Sequence, residues 1–356
     1  MAPPNPDPVT GLSPSVRVGT LTVPPSLVAK IPYFRTRGPT LGGISGGRTS
    51  ALMHVLTLAA GGEGAYLPCF ANTGKEHEGT LVFLRRLAEA TGTPIRWMEF
   101  VPPAAGNAPR EATARTVTFD TAARNGEPFE AFLETLAGFR REVKGLGPVV
   151  PHATRRLCTS YMKIKIQKRL AAELWPEEDV ENRVGLRADE PQRAARLATH
   201  DRGFVTASAP LSRAGIVKAD VLAFWRAQPF DLEIPEYQGN CTKCFLKDEA
   251  DLARSMHEDP SDVGWWVALQ ETYGNFRPND RVQYPQIAAE AGVRLDVVAP
   301  AVARGEEPVC PENFDPRRFR LIVRQEQRRA RLGAPSFSCA CESAAAGDDE
   351  LEASLG

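Results

Sequence analysis

The chain has 356 residues, 42% hydrophobic and 24% charged, enough to build one large or two modest cores. Its 43 basic and 44 acidic residues nearly cancel, so no global field draws it to nucleic acid or to an anionic membrane. No apolar run approaches the roughly 18 residues of a membrane span, and "MAPPNPDPVTGLSP" lacks the order of a secretion signal, so a cytoplasmic protein with no membrane partner is expected.

Residues 1–30 are rich in proline, show little periodicity and read as a flexible arm. An α/β unit is expected over 31–239. It opens with a short strand at 40–44, a helix at 50–60 and the strand "AYLPCFANTG", which ends in a polar turn. "HEGTLVFLRRLAEATG" is an amphipathic helix closed by Gly92, and "PIRWMEFV" is the next strand. After a polar stretch at 104–126, helices are expected at 128–143 and 159–174. Then come the strand "VENRVGL", a loop "RADEPQRAAR", a short apolar piece at 203–209 and a helix at 218–228. This alternation specifies an α/β fold, a parallel sheet with helices on both faces. From 240 to 346 the texture changes to cysteines, tryptophans and helical patterns, a cysteine-bearing C-terminal region before an acidic tail at 347–356.

The chemistry concentrates first in "LGGISGGRTS". Counted from Gly42 it is a Walker A pattern with Arg48 in the lysine position, where a planar guanidinium replaces the compact point charge that the phosphates need. Counted from Ser45 it is S-G-G-x-x-S between a strand and a helix. Gly46 and Gly47 let successive N–H groups converge on one anion, Ser45, Thr49 and Ser50 add hydroxyls, and Arg48 completes the loop at the positive end of the helix. Asn72, Thr73 and Gly74 turn the chain at the end of the second strand, and Lys75 is placed to face a phosphate or ribose. Arg187, with Asp189 and Glu190, offers one cation and two acceptors where a later strand ends.

These blocks, with "PLSRAGIVKADVLAFWRAQPFDLEIPEYQGNCTKCFLK", resemble the PP-loop ATP pyrophosphatases, an adenine nucleotide alpha-hydrolase-like superfamily, and within it the phosphoadenosine phosphosulfate reductase-like branch. The likeness spans roughly residues 40–250, and the "SGGRTS" and "NTGKEH" forms look like a subgroup common in phages and mobile elements. It implies an adenine nucleotide, ATP or phosphoadenosine phosphosulfate, at the glycine loop. The chain departs from the branch in two places. Arg48 and Thr49 stand where many members have lysine and aspartate, and the Glu-Cys-Gly-Leu-His motif of the reductases is absent.

Seven cysteines, an odd number, fit metal or redox use better than a disulfide framework. Cys241 and Cys244 form a CxxC, whose spacing suits one metal or cluster. Cys158 follows Arg155 and Arg156, which are expected to lower its thiol pKa. The family resemblance implies that Cys158, Cys241 and Cys244 hold a 4Fe-4S cluster, with zinc as the alternative. Leu157 stands where cluster-binding members often have a second cysteine, so the fourth ligand is left to Cys339 or Cys341, which can equally form a catalytic thiol pair. Cys69 and Cys310 fit an inert role, and His77 a surface helix. Lys163, Lys165, Lys168 and Arg169 make one basic group. Arg317, Arg320, Arg324, Arg328 and Arg331 make a helical stripe that either binds a nucleic acid through its phosphates or is a solvated face, the second being preferred.

Three functions are compatible with these residues. The first is an enzyme of sulfur chemistry that reduces activated sulfate or transfers sulfur, served by an electron donor. The second is an ATP- and magnesium-dependent enzyme that adenylates tRNA or DNA before modifying it. The third is a non-catalytic nucleotide-binding regulatory or defence component with a structural metal.

Overall fold

The computed structural model describes residues 15–199, 203–239, 241–277 and 282–296. The chain joins the fold earlier than its proline content suggests. β1 (Val16–Val18) and β2 (Leu21–Val23) form an antiparallel hairpin that buries Val18, Leu21 and Val23. Gln228 holds both backbone groups of Thr22, and the Thr20 N–H donates to the Ala90 carbonyl at 2.8 Å. The flexible-arm expectation is thus corrected from Val16 onward, while residues 1–14 lie outside the described residues.

Six strands build the main sheet: β3 (Thr40–Gly43), β4 (Tyr66–Asn72), β5 (Arg96–Val101), β6 (Thr113–Val117), β7 (Val180–Val184) and β8 (Val205–Ser208). Their order is β6-β5-β4-β3-β7-β8, parallel except for β6. β6 falls within the polar stretch at 104–126, where no strand is expected, because its "TARTV" is exposed apart from the half-buried Val117 and shows no buried face. The chain runs from β3 outward through β4 and β5 to the edge strand β6 and then returns to the other side of β3 as β7. The carboxyl ends of β3 and β7 therefore flank a topological switch point, where open α/β sheets take their ligands.

The longer helices among the described residues are α1 (Arg48–Ala60), α2 (Glu78–Thr91), α3 (Glu127–Lys144), α4 (Ile166–Leu174), α5 (Pro191–Thr199), α6 (Lys218–Arg226), α7 (Glu249–Glu258), α8 (Val263–Tyr273) and α9 (Tyr284–Glu290). Alternation along the strands decides where they pack. Phe70 and Trp97 face α1, α2 and α6, whereas Cys69, Ala71 and Met98 face α4. The helix expected at 159–174 forms without interruption from Leu157, but it widens into a π-helical stretch, Ser160–Lys165, before α4. The loop expected at 187–196 contains the start of α5, where Pro191 pre-sets the first turn and Ala194, Ala195, Leu197 and Ala198 favour continuation. The boundary drawn near residue 240 crosses a shared core. Phe129, Phe132 and Leu136 of α3 pack with Trp266, Phe276 and Tyr284 from the C-terminal region. No helix among the described residues is long and apolar enough to cross a membrane.

His54 lies fully buried on α1, with Nδ1 3.0 Å from the Tyr66 hydroxyl. Burial pushes its pKa down to about 3. The unfolded chain therefore takes up this proton first, so the stabilising contribution is complete above about pH 6.5 and is lost as pH falls toward 3. Urea denaturation should show stability falling by up to about 1.4 kcal/mol per pH unit in that window from this group alone. A His54→Gln variant should show a flatter pH profile.

Candidate functional site

The glycine loop leaves β3 at the switch point and enters α1. Gly46 has φ +84°, and a Cβ there would sit 2.3 Å from the Thr80 γ-methyl, so both backbone and space require glycine. Ser45 and Ser50 close the loop, their hydroxyls 3.0 Å apart, and the Ser50 hydroxyl also accepts from the Ser45 N–H at 3.1 Å. Gly47 caps α1 without a side chain, which leaves the N–H groups of the first turn without intrahelical acceptors. The Thr80 hydroxyl is buried beside this turn and has no hydrogen-bond partner.

The loop forms one wall of a cleft of about 110 Å³ that also contains Thr80, Arg187, Lys218, Leu232 and Ile234. That space suits a phosphoryl group, whereas whole-nucleotide sites are usually ~300 Å³ or larger. Arg187 is brought to the loop as expected, with Nη1 3.3 Å from the Thr49 hydroxyl. Asp189 and Glu190 act as its holders. Asp189 Oδ1 accepts from Arg187 Nε at 2.9 Å, and Glu190 Oε2 lies 3.4 Å from Nη2.

Lys218, which the motif reading missed, lines the cleft from the first position of α6. A cation there opposes the helix dipole, and that is the signal in the sequence that marks it. Its ammonium pairs with Glu236 at 3.1 Å.

Arg48 behaves differently from its motif position. Its guanidinium turns to Asp231, with Nε to Oδ1 at 2.6 Å and Nη2 to Oδ2 at 3.1 Å, and also donates to the Leu232 carbonyl. Trp225 Nε1 donates to the Arg48 carbonyl at 2.8 Å. Arg48 thus ties the loop to the 231–236 segment that covers the cleft, in place of reaching along a phosphate.

The "NTGK" turn is also redirected. Asn72 donates to Glu99 at 2.7 Å and accepts from the Gly74 N–H at 3.1 Å, so its amide holds the ends of β4 and β5 together. Thr73 donates to Glu76 and lies 3.4 Å from the Cys241 sulfur. Lys75 is buried with Nζ 3.2 Å from Asp262 and 4.7 Å from the centre of the Trp265 ring. Lys243 reaches the other oxygen of Asp262 at 3.3 Å. Burial would raise the Asp262 pKa, but Lys243 and then Lys75 outweigh it and bring the carboxyl to about 2. The phosphate or ribose role expected of Lys75 is thereby corrected.

Cys241 bridges to Glu76 through the backbone, and Thr242 N–H donates to the Lys75 carbonyl at 2.8 Å. Burial raises the Cys241 thiol to about 12, helped by Glu76, while Lys163 pulls it down. The Cys158 thiol is also raised by burial, with Lys163 opposing. The lowering expected from Arg155 and Arg156 is corrected, since burial dominates and the nearby cation is Lys163.

Cys158 and Cys241 are within electrostatic reach of each other, and Cys244 is buried in the same core. Among the described residues, no three Cys, His, Asp or Glu side chains are placed to hold a metal ion. Cys69 is fully buried in β4, as an inert cysteine should be. His77 is the half-buried N-cap of α2, accepting from the Gly79 N–H at 2.9 Å, and so departs from the surface role expected of it. Arg169 donates to the Glu111 and Ala112 carbonyls, a structural use of one member of the basic group. Cys310, Cys339, Cys341 and the arginines from 317 to 331 lie outside the described residues.

No protein-family model and no solved structure matches the chain. It is 29% identical over 228 residues, 60% of this chain and 71% of the relative, to the uncharacterized nin region protein ORF290 of Escherichia phage lambda.

Proposed function

We propose that this protein is an adenine-nucleotide-binding enzyme of the PP-loop type, performing the sulfur chemistry of the phosphoadenosine phosphosulfate reductase-like branch. One observation carries the reading: a buried hydroxyl without a partner, Thr80, shares a cleft at the switch point with an uncapped helix start and two cations, Arg187 and Lys218. Such donors stabilise phosphate charge without reorganising, which orients the nucleotide and favours charge developing on its phosphates. Arg187 is fixed by Asp189 and Glu190, so it meets a phosphate in a set orientation.

What supports sulfur chemistry is Cys241, 3.4 Å from the Thr73 hydroxyl in the turn that follows β4, with Cys158 in its electrostatic reach. The 4Fe-4S cluster implied by the resemblance would draw on Cys158, Cys241 and Cys244, which share one core although no three described side chains are placed as a ligand set.

Calorimetric titration with ATP and with phosphoadenosine phosphosulfate tests the proposal. Gly47→Val, which places a branched side chain in the cleft wall, and Arg187→Gln should each weaken binding at least tenfold, about 1.4 kcal/mol. Unchanged affinity in folded variants, or no binding by the unmodified protein, would overturn it.

A further inference from the structure

A second groove, which shares no residue with the glycine-loop cleft, lies along the β7–β8 side of the sheet. It runs from the amino-terminal ends of β3 and β7 toward β8 and encloses about 670 Å³. Thr36 pairs with Gly62 in an isolated bridge and points inward, so its neighbours Arg35 and Arg37 project outward from the same extended segment. Tyr33 stands just before them with half of its surface exposed. Arg213 ends the short helix, Pro210–Arg213, that follows β8.

The groove's charge is unbalanced. Four arginines, 35, 37, 183 and 213, line it against Asp179 and Glu181. Glu181 is already engaged, accepting from Arg183 at 2.9 Å and from the Ser208 hydroxyl at 2.5 Å and facing Arg213 at 3.7 Å. The Arg35–Glu63 pair, 3.7 Å apart with both side chains mostly exposed, neutralises little. Arg37 has no hydrogen-bond or ion-pair partner among the described residues.

Beneath them Arg183, 1% exposed, donates to the Phe34 and Arg35 carbonyls and fixes the segment that carries the tyrosine and the outer arginines. Its Nε is buried in the groove wall without a partner. A rigid, positively charged channel with an exposed aromatic ring is the arrangement that takes phosphodiester charge and an unstacked base together.

We infer that this groove binds single-stranded nucleic acid, with Arg35, Arg37 and Arg213 contacting backbone phosphates and Tyr33 stacking on a base. The site is separate from the nucleotide cleft, and the inference does not depend on the reaction proposed there.

Fluorescence anisotropy of a labelled oligothymidylate with the full chain tests it. Affinity should fall with salt. Exchanging Arg37 and Arg213 together for glutamine should lower the slope of log affinity against log salt by about 1.4, at roughly 0.7 per phosphate contact. Tyr33→Ala should weaken binding by about tenfold. Gly47→Val, in the other cleft, should leave it unchanged.

Several results would overturn the inference. One is binding indifferent to all three groove substitutions. Another is loss only when Arg320, Arg324 and Arg328 become glutamine. A third is displacement by ATP together with loss in Gly47→Val, which would put the oligonucleotide in the nucleotide cleft. Equal affinity for a duplex would also count against it, since a paired base cannot stack on Tyr33.

Discussion

Replacing Asp262 with alanine is expected to destabilise the protein by about 3–5 kcal/mol, the range for breaking a buried ion pair from one side. Asp262 lies between Lys75 and Lys243, whose side chains are 7% and 1% exposed, and it accepts from the Thr242 hydroxyl at 2.6 Å. Without it, Lys75 loses its buried carboxylate and Lys243 keeps only the half-exposed Asp259 at 3.8 Å, so most of the desolvation cost of the two ammonium groups is no longer offset. Urea denaturation should show an earlier midpoint with little change in slope. The loss should be largely recovered when Asp262→Leu is combined with Lys75→Met and Lys243→Met, because well-packed apolar groups replace buried charge at little cost. If the single variant were as stable as the unmodified protein, the burial of this triad would be wrong. Because the folded carboxyl titrates at about 2, its contribution is present above about pH 4 and is lost as pH falls through 2.

Gly46→Ala is expected to remove nucleotide binding while costing about 1–3 kcal/mol of stability. The left-handed backbone conformation at φ +84° is unfavourable for any residue with a Cβ, and the added carbon meets the Thr80 γ-methyl at 2.3 Å. Thr80 is itself buried on α2, so the loop must tilt and its N–H groups lose their common focus. Combining Gly46→Ala with Thr80→Ser removes the methyl and keeps the hydroxyl. That pair should recover part of the affinity, and a double-mutant cycle would measure the recovery. Additive losses in the cycle would show that the contact between Gly46 and Thr80 is not what shapes the loop.

The parallel sheet was legible because its strands and helices carry strong periodic patterns, as in "HEGTLVFLRRLAEATG", and because Gly92 marks a helix end. The glycine loop was legible because its residues are contiguous. What could not be read were pairings between distant positions. Nothing around Arg48 announces Asp231, 183 residues away, and nothing in "NTGK" indicates that Lys75 belongs to Asp262. The proline-rich start disguised β1 and β2, whose alternating valines and leucine were too short a signal to outweigh composition. Thr80 was invisible for a related reason, since a threonine in an amphipathic helix is ordinary until its hydroxyl is found without a partner.

The aromatic cluster that joins α3 to the C-terminal helices also bears on how the chain is made. As it leaves the ribosome, the strands from β3 to β8 emerge before residue 240 with Phe100 and Tyr161 to cover Phe132, yet Phe129 lacks its partners Trp265, Trp266 and Phe276 until they have been synthesised. The nascent protein therefore passes through a stage with a finished sheet and a half-covered apolar helix face, the kind of surface on which aggregation begins and to which chaperones bind.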